Sequence, residues 1–238
     1  MKLLVMHLTR MEKGFICAAG VDVDTGKMVR AVTPQGRIPA SALASEGRGI
    51  FDIARVVDLG PCERARCVAP HVEDFVFDTA CARPLRKLPA AEFWGLLRAN
   101  AKSKLLDIFG PDLRFVGPRS CGADPGKCVA SLGLLVPSWP RAVVFTKQDE
   151  DRTHKIRMKI SDGFFVGAEV GVTDIRLYGQ DHVTPDLVRV RELSMHMQNA
   201  AFILSVGLTR EYRGYHWLQV NNVHLEDAPA WGWSGELA

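Results

Sequence analysis

The 238-residue sequence lacks the marks of several large protein classes. No uninterrupted apolar run approaches the roughly 18 residues that a membrane-spanning helix needs. Residues 1–13 hold only a short apolar core at 3–6 before His7, Thr9 and Arg10, so they read as a first strand and not as an export signal. Cysteine is sparse, six in all, and without an export signal these are expected to be reduced thiols in a cytoplasmic protein. A strong excess of one charge is missing too. The formal charge is +3, from 30 Lys+Arg against 27 Asp+Glu. With 47% hydrophobic, 24% charged and 8% aromatic positions, disorder, coiled coil and collagen-like structure are excluded.

The usual catalytic signatures are absent as well. There is no Gly-x4-Gly-Lys-Ser/Thr phosphate loop, no Gly-x-Ser-x-Gly elbow and no His-Glu-x-x-His helix. Nowhere does a carboxylate precede a lysine by two positions, which removes half of a common metal-dependent nuclease core. The expectation is therefore a binding module that needs no cofactor, not an enzyme.

What is present is mostly strand. Runs at 3–8, 14–23, 27–33, 49–59 and 72–78 are rich in Val, Ile, Phe and Met, and Asp22-Val-Asp-Thr-Gly26 supplies a hairpin turn. The spacing predicts one clear helix over 89–109, opened by Pro89, striped by Phe93, Leu96, Leu97, Leu105, Ile108 and Phe109, and stopped by Gly110-Pro111. A Gly/Pro-rich stretch at 117–127 divides the chain into an expected first unit, 1–118, and a second, 126–225. Strands recur at 128–136, 141–147, 154–160, 163–170, 200–208 and 214–224, with a second helix through Asn199 capped by Thr184. An acidic tail, 226–238, carries Trp231 and Trp233. Without the three acids of residues 225–238 the rest of the chain holds 30 cations against 24 anions, a bias that suits polyanionic partners.

One internal echo stands out. Leu8-Thr9-Arg10 recurs as Leu208-Thr209-Arg210, and at the same offset Gly14 meets Gly214, Phe15 meets Tyr215 and Val23 meets Val223. Each copy reads strand, Leu-Thr-Arg corner, Gly, aromatic, strand. Either turn chemistry alone produces this, or two related β-domains place equivalent Thr and Arg side chains at corners that share a cleft.

The residue 154–160 strand alternates Ile156, Met158 and Ile160 with Lys155, Arg157 and Lys159. Three cations about 7 Å apart on one strand face match the spacing of backbone phosphates. A solvated or lysine-protected edge explains the same pattern. Arg10, Arg30 and Arg210 offer guanidinium forks for phosphate. Phe164, Phe165, Tyr215 and Trp217 offer aromatic faces for bases, although strand aromatics also build cores. His71-Val-Glu73-Asp74 lacks the order and spacing of a zinc deaminase. Cys62, Cys67, Cys81 and His71 have the ligand types for structural zinc at loose spacing; free thiols, with Glu73 and Asp74 binding a backbone amide or an arginine at a barrel corner, is the preferred reading.

Several short motifs carry a family resemblance. Leu3-Leu-Val-Met-His-Leu-Thr-Arg10, Gly20-Val-Asp22, Val29-Arg-Ala-Val32 and Pro70-His-Val-Glu-Asp74 resemble bacterial proteins described as dual OB-containing domains. So do Val172-Thr-Asp174, Leu204-Ser-Val-Gly-Leu-Thr-Arg210 and His216-Trp-Leu-Gln-Val220. The resemblance covers nearly the whole chain. It implies a mainly β, α+β protein of two OB-like barrels, and by analogy a role in nucleic-acid processing or defence. The expected ligand is single-stranded nucleic acid or a nucleotide, held by Thr9, Arg10, Thr209, Arg210, Lys155, Arg157, Lys159, Tyr215 and Trp217, with no metal and no membrane. The alternatives are a protein-docking scaffold that inserts Trp231 and Trp233 into a partner, and an enzyme on a nucleotide or modified base using His71, Glu73 and Asp74.

Overall fold

Strands form where β-branched and aromatic residues run between Gly, Pro and Asp punctuation. The computed structural model describes residues 1–44, 49–139, 141–148 and 154–232. In the first half β1 (Lys2–Arg10) and β2 (Phe15–Asp22) make a long antiparallel hairpin. They are followed by β3 (Met28–Val32), β4 (Ile38–Pro39), β5 (Arg55–Asp58), β6 (Cys62–Arg64), β7 (Asp74–Phe77) and β8 (Arg83–Lys87). The sheet order is β6-β7-β3-β2-β1-β5-β8, with β4 also on β2, and the sheet curls into a half-barrel. The Asp22 to Gly26 turn forms as the sequence predicts. Gly26 takes φ 68°, its N–H donates to the Asp22 carbonyl at 2.8 Å, and the Thr25 hydroxyl donates to the Asp22 carboxylate at 2.7 Å.

Next come α1 (Ala90–Asn100), β9 (Ala101–Lys102), α2 (Leu105–Phe109), β10 (Arg114–Phe115), β11 (Cys121–Ala123) and β12 (Leu132–Leu135). The rest is β13 (Val143–Gln148), β14 (His154–Ile160), β15 (Ala168–Val172), α3 (Leu187–Asn199), β16 (Phe202–Leu208) and β17 (His216–Leu225). The second sheet runs β13-β14-β15-β17-β16-β12-β9, and β10-β11 joins it at β17. Phe93 and Leu97 of α1 pack in the first hydrophobic core, while Leu105, Ile108 and Phe109 of α2 pack in the second. The cores thus part ahead of the Gly/Pro-rich stretch at 117–127. Leu134, Ile175 and Ile203 cross back into the first core and tie the halves together.

Several elements differ from the sequence reading, each for a tertiary reason. The helix expected over 89–109 is broken into α1 and α2, because Ala101 and Lys102 extend to pair in parallel with Leu134 and Leu135. The Asp162 carboxylate then accepts the Leu105 N–H at 2.7 Å and restarts the helix. That same carboxylate accepts from the Phe164 and Phe165 N–H groups, so 163–167 is a loop and β15 begins only at Ala168. The expected 49–59 strand is confined to β5, since Ala54 has φ 64° and Phe51 and Ile53 plug the first core from a loop. Asp186, not Thr184, caps α3, accepting from the Val188 and Arg189 N–H groups.

The echo has a structural counterpart. Hairpins β1–β2 and β16–β17 lie centrally in their sheets, flanked by β3 and β5 in one and by β15 and β12 in the other. Their corner glycines take the same left-handed conformation, φ 75° at Gly14 and 80° at Gly214. The parity stops at the flanks: β3 runs antiparallel to β2, but β15 runs parallel to β17.

Candidate nucleic-acid interface

Both Leu-Thr-Arg corners open on one cleft of about 590 Å³. Thr9, Arg10, Thr209 and Arg210 line it together with Arg30, His71, Gln219 and Asn221, and Ile16, Val32, Ile38, Leu132 and Leu208 form its apolar walls. The first corner is docked on the second barrel: Thr9 bridges to Asp174, and the Arg10 N–H donates to the Thr173 carbonyl at 3.0 Å. The Arg10 guanidinium lies 4.3 Å over the Tyr178 ring. The second corner reaches the other way, with Arg210 paired to Asp74 of the first barrel. Thr209 is held by accepting the Trp217 N–H at 2.9 Å.

Beneath the cleft lies a buried polar network that explains the His71-Val-Glu73-Asp74 segment. Arg30 donates to Asp74 at 2.9 Å, to His71 Nδ1 at 3.1 Å and to the Ser131 hydroxyl at 2.6 Å. Glu73 accepts from the Ser131 N–H at 2.7 Å, the Ser131 hydroxyl at 2.8 Å and the Leu132 N–H at 3.2 Å. Glu73 thus binds backbone amides and Asp74 binds arginines, so a buried carboxylate from the first barrel is satisfied by the second. Burial, then the Arg30 and Arg210 cations, push the His71 pKa down to about 3, so its imidazole is neutral at pH 7. Among the described residues no three His, Cys, Asp or Glu side chains converge as a metal would require. Cys62, Cys67 and Cys81 are free thiols.

The predicted basic strand is β14, and its alternation is real. Ile156, Met158 and Ile160 are buried, while Lys155 and Lys159 are exposed and Arg157 is half-buried. Cross-strand pairing carries this face toward the cleft. Phe145, Arg157, Gly171 and Gln219 are successive partners across β13, β14, β15 and β17. Paired residues share a face, and Gln219 lines the cleft. Tyr215 and Trp217 alternate with buried His216 and Leu218, so they stand on the Gln219 side of β17. Their rings are 5.3 Å apart. The Trp217 indole N–H donates to the Tyr212 carbonyl at 2.8 Å, and Arg114 lies 5.7 Å over Tyr215.

The structure therefore brings together Arg10, Arg210, Thr9 and Thr209 at one cleft, and Lys155, Arg157, Lys159, Tyr215 and Trp217 on the sheet face that runs into it. One expectation is corrected. Trp231 is not an exposed anchor: it is 2% exposed, stacked 3.8 Å from Arg176, and its indole N–H donates to the Val223 carbonyl at 2.9 Å. Trp233 lies outside the described residues. Phe165 is core, whereas Phe164 is exposed. Sequence reasoning missed Gly171 and Gln219, which owe their place to the parallel β15–β17 pairing and leave no local trace, and Tyr178, which is set by the turn at Ile175–Leu177 and by its hydroxyl bond to the Val172 carbonyl. It also passed over Trp139, which is 84% exposed beside the end of β14. Its setting, Pro137-Ser-Trp-Pro140, was a signal, because two prolines that lack ladder N–H groups disfavour a continuous strand there.

Two mainly antiparallel sheets, the first curled into a half-barrel, each with its own core and a helix against it, fit a dual OB-like α+β fold. The family model described as dual OB-containing domain matches residues 1–223, and the chain belongs to that family. No curated protein matches the chain. No described helix is long and apolar enough to cross a membrane.

Proposed function

We propose that this protein binds single-stranded nucleic acid, without catalysis, along the outer face of its second barrel and into the cleft between the barrels. The observation that carries this reading is continuity: the Arg157–Gly171–Gln219 row leads from the β14 cations to the cleft where Arg10 and Arg210 stand. Lys155, Arg157, Lys159, Arg10 and Arg210 contact phosphates, and Tyr215 and Trp217 supply faces on which bases stack. OB-type barrels bind oligonucleotides on such a strand face and its adjoining loops. A bacterial defence or nucleic-acid-processing system is the setting that this activity fits, inside the cytoplasm.

Fluorescence anisotropy with labelled DNA and RNA oligomers at two salt concentrations tests the reading. Five phosphate contacts on a single strand predict a roughly 100-fold loss of affinity between about 50 and about 200 mM salt. Absence of binding at low salt, or an affinity indifferent to salt, overturns it.

A further inference from the structure

Two cations stand in the neighbourhood of one buried tyrosine. Arg10, at the end of β1, lies 4.3 Å over the ring of Tyr178, a residue only 3% exposed whose hydroxyl donates to the Val172 carbonyl at 2.7 Å. Arg157 comes from β14 and faces Gly171, the neighbour of Val172. A Cβ at Gly171 would stand 4.0 Å from Arg157 Nη1 with no other atom within that distance, so the guanidinium lies over bare backbone. Both cations bear on the Tyr178 phenol. Burial raises its pKa, and Arg10 and Arg157 each oppose that rise.

The two guanidinium groups also share an unmet need. Arg10 Nε and Arg157 Nε are both buried without a hydrogen-bond partner. Among the described residues, carboxylates pair with Arg30, Arg176 and Arg210, but none pairs with Arg10 or Arg157. Like charges held together at a half-buried site repel unless an anion neutralises them, and guanidinium forks match phosphate oxygens in pairs.

We propose that Arg10, Arg157 and Tyr178 form a pocket for the terminal phosphate of a nucleic-acid strand, a phosphate monoester. This rests on the nucleic-acid reading and sharpens it from strand to strand end. A monoester carries close to two negative charges and three free oxygens near pH 7, which two forks can share. An internal phosphodiester carries one charge, has two free oxygens, and must leave the pocket in two directions.

The test compares three oligomers of one sequence, bearing a 5′-phosphate, a 3′-phosphate, or hydroxyls at both ends, with inorganic phosphate as competitor. One phosphorylated end is expected to bind roughly tenfold tighter than the hydroxyl oligomer. Millimolar inorganic phosphate should erase that advantage, so that all three oligomers bind alike. Arg10→Gln and Arg157→Gln should each erase the advantage too, while also weakening the hydroxyl oligomer, because both side chains contact strand phosphates; the competition arm decides the matter if either variant fails to fold. Equal affinity for all three oligomers overturns the pocket while leaving strand binding intact. An advantage that survives both substitutions also overturns it. If no oligomer binds, both readings fall together.

Discussion

Asp74 holds an arginine on each of its carboxylate oxygens, Arg30 at 2.9 Å and Arg210 from the rim of the cleft. The two contacts differ in weight because their surroundings differ. The Arg30 and Asp74 side chains are 8% and 6% exposed, whereas Arg210 is 58% exposed. Asp74→Ala strands the Arg30 charge in the interior and should lower the free energy of urea unfolding by about 3–5 kcal/mol. Arg210→Ala should cost under about 1 kcal/mol, because water replaces the lost partner. Equal effects of the two variants would contradict this assignment. His7 and His71 make a second residue-scale prediction. Each accepts a hydrogen bond at Nδ1, from the Asn221 amide and from Arg30 respectively, and burial pushes both pKa values to about 3. In the unfolded chain each titrates near 6.5. Below that pH the unfolded state binds more protons, so stability falls as pH falls from about 6.5 toward 3, by up to about 2.7 kcal/mol per pH unit for the pair. Urea midpoints at pH 7.5 and 5.5 check the sign: the lower pH should give the lower midpoint, before carboxylates protonate.

At the scale of elements, the β1–β2 and β16–β17 hairpins test whether the internal echo is conformational. Gly14 and Gly214 have positive φ, and a Cβ at either would meet nothing within 4 Å. Substituting alanine at either position therefore pays only the backbone term, about 1–2 kcal/mol, and thermal unfolding should report nearly equal losses for the two variants. Widely different losses would mean that the two corners resemble each other in sequence but not in strain. These hairpins were legible because corner glycines, alternation and the Leu-Thr-Arg repeat are local signals. The β14 face was legible for the same reason. The break between α1 and α2 was not, since an apolar stripe continues across it and only the pairing of β9 with β12 interrupts the helix. Nor was the Asp162 loop, where one carboxylate serves three N–H groups brought together by the fold. The Arg157–Gly171–Gln219 row required the parallel β15–β17 pairing, a contact between segments some 48 residues apart in register (Gly171 with Gln219) that no short window contains.

The whole molecule is two barrels clasped along their echoed hairpins. Asn222 accepts the Leu8 N–H at 2.6 Å and donates to the Leu8 carbonyl at 3.1 Å, and the Ser205 hydroxyl donates to the Met6 carbonyl at 2.7 Å. The equivalent of Asn222 in the first copy is Asp22, which instead accepts from the Thr25 hydroxyl in its own turn. An amide can serve a backbone N–H and carbonyl together; a carboxylate cannot. This clasp is what turns Arg10 and Arg210 onto one cleft, so the central claim belongs to the assembled pair and not to either barrel. Photocrosslinking of a single-stranded oligomer carrying 5-iodouracil at successive positions, with crosslinked peptides mapped by mass spectrometry, tests it most directly. Crosslinks at Tyr215 or Trp217 from some positions, and at cleft peptides containing Arg10 and Arg210 from neighbouring positions, are the predicted result; crosslinks confined to α3 or to the outer strand β8, or none at either corner, would contradict it.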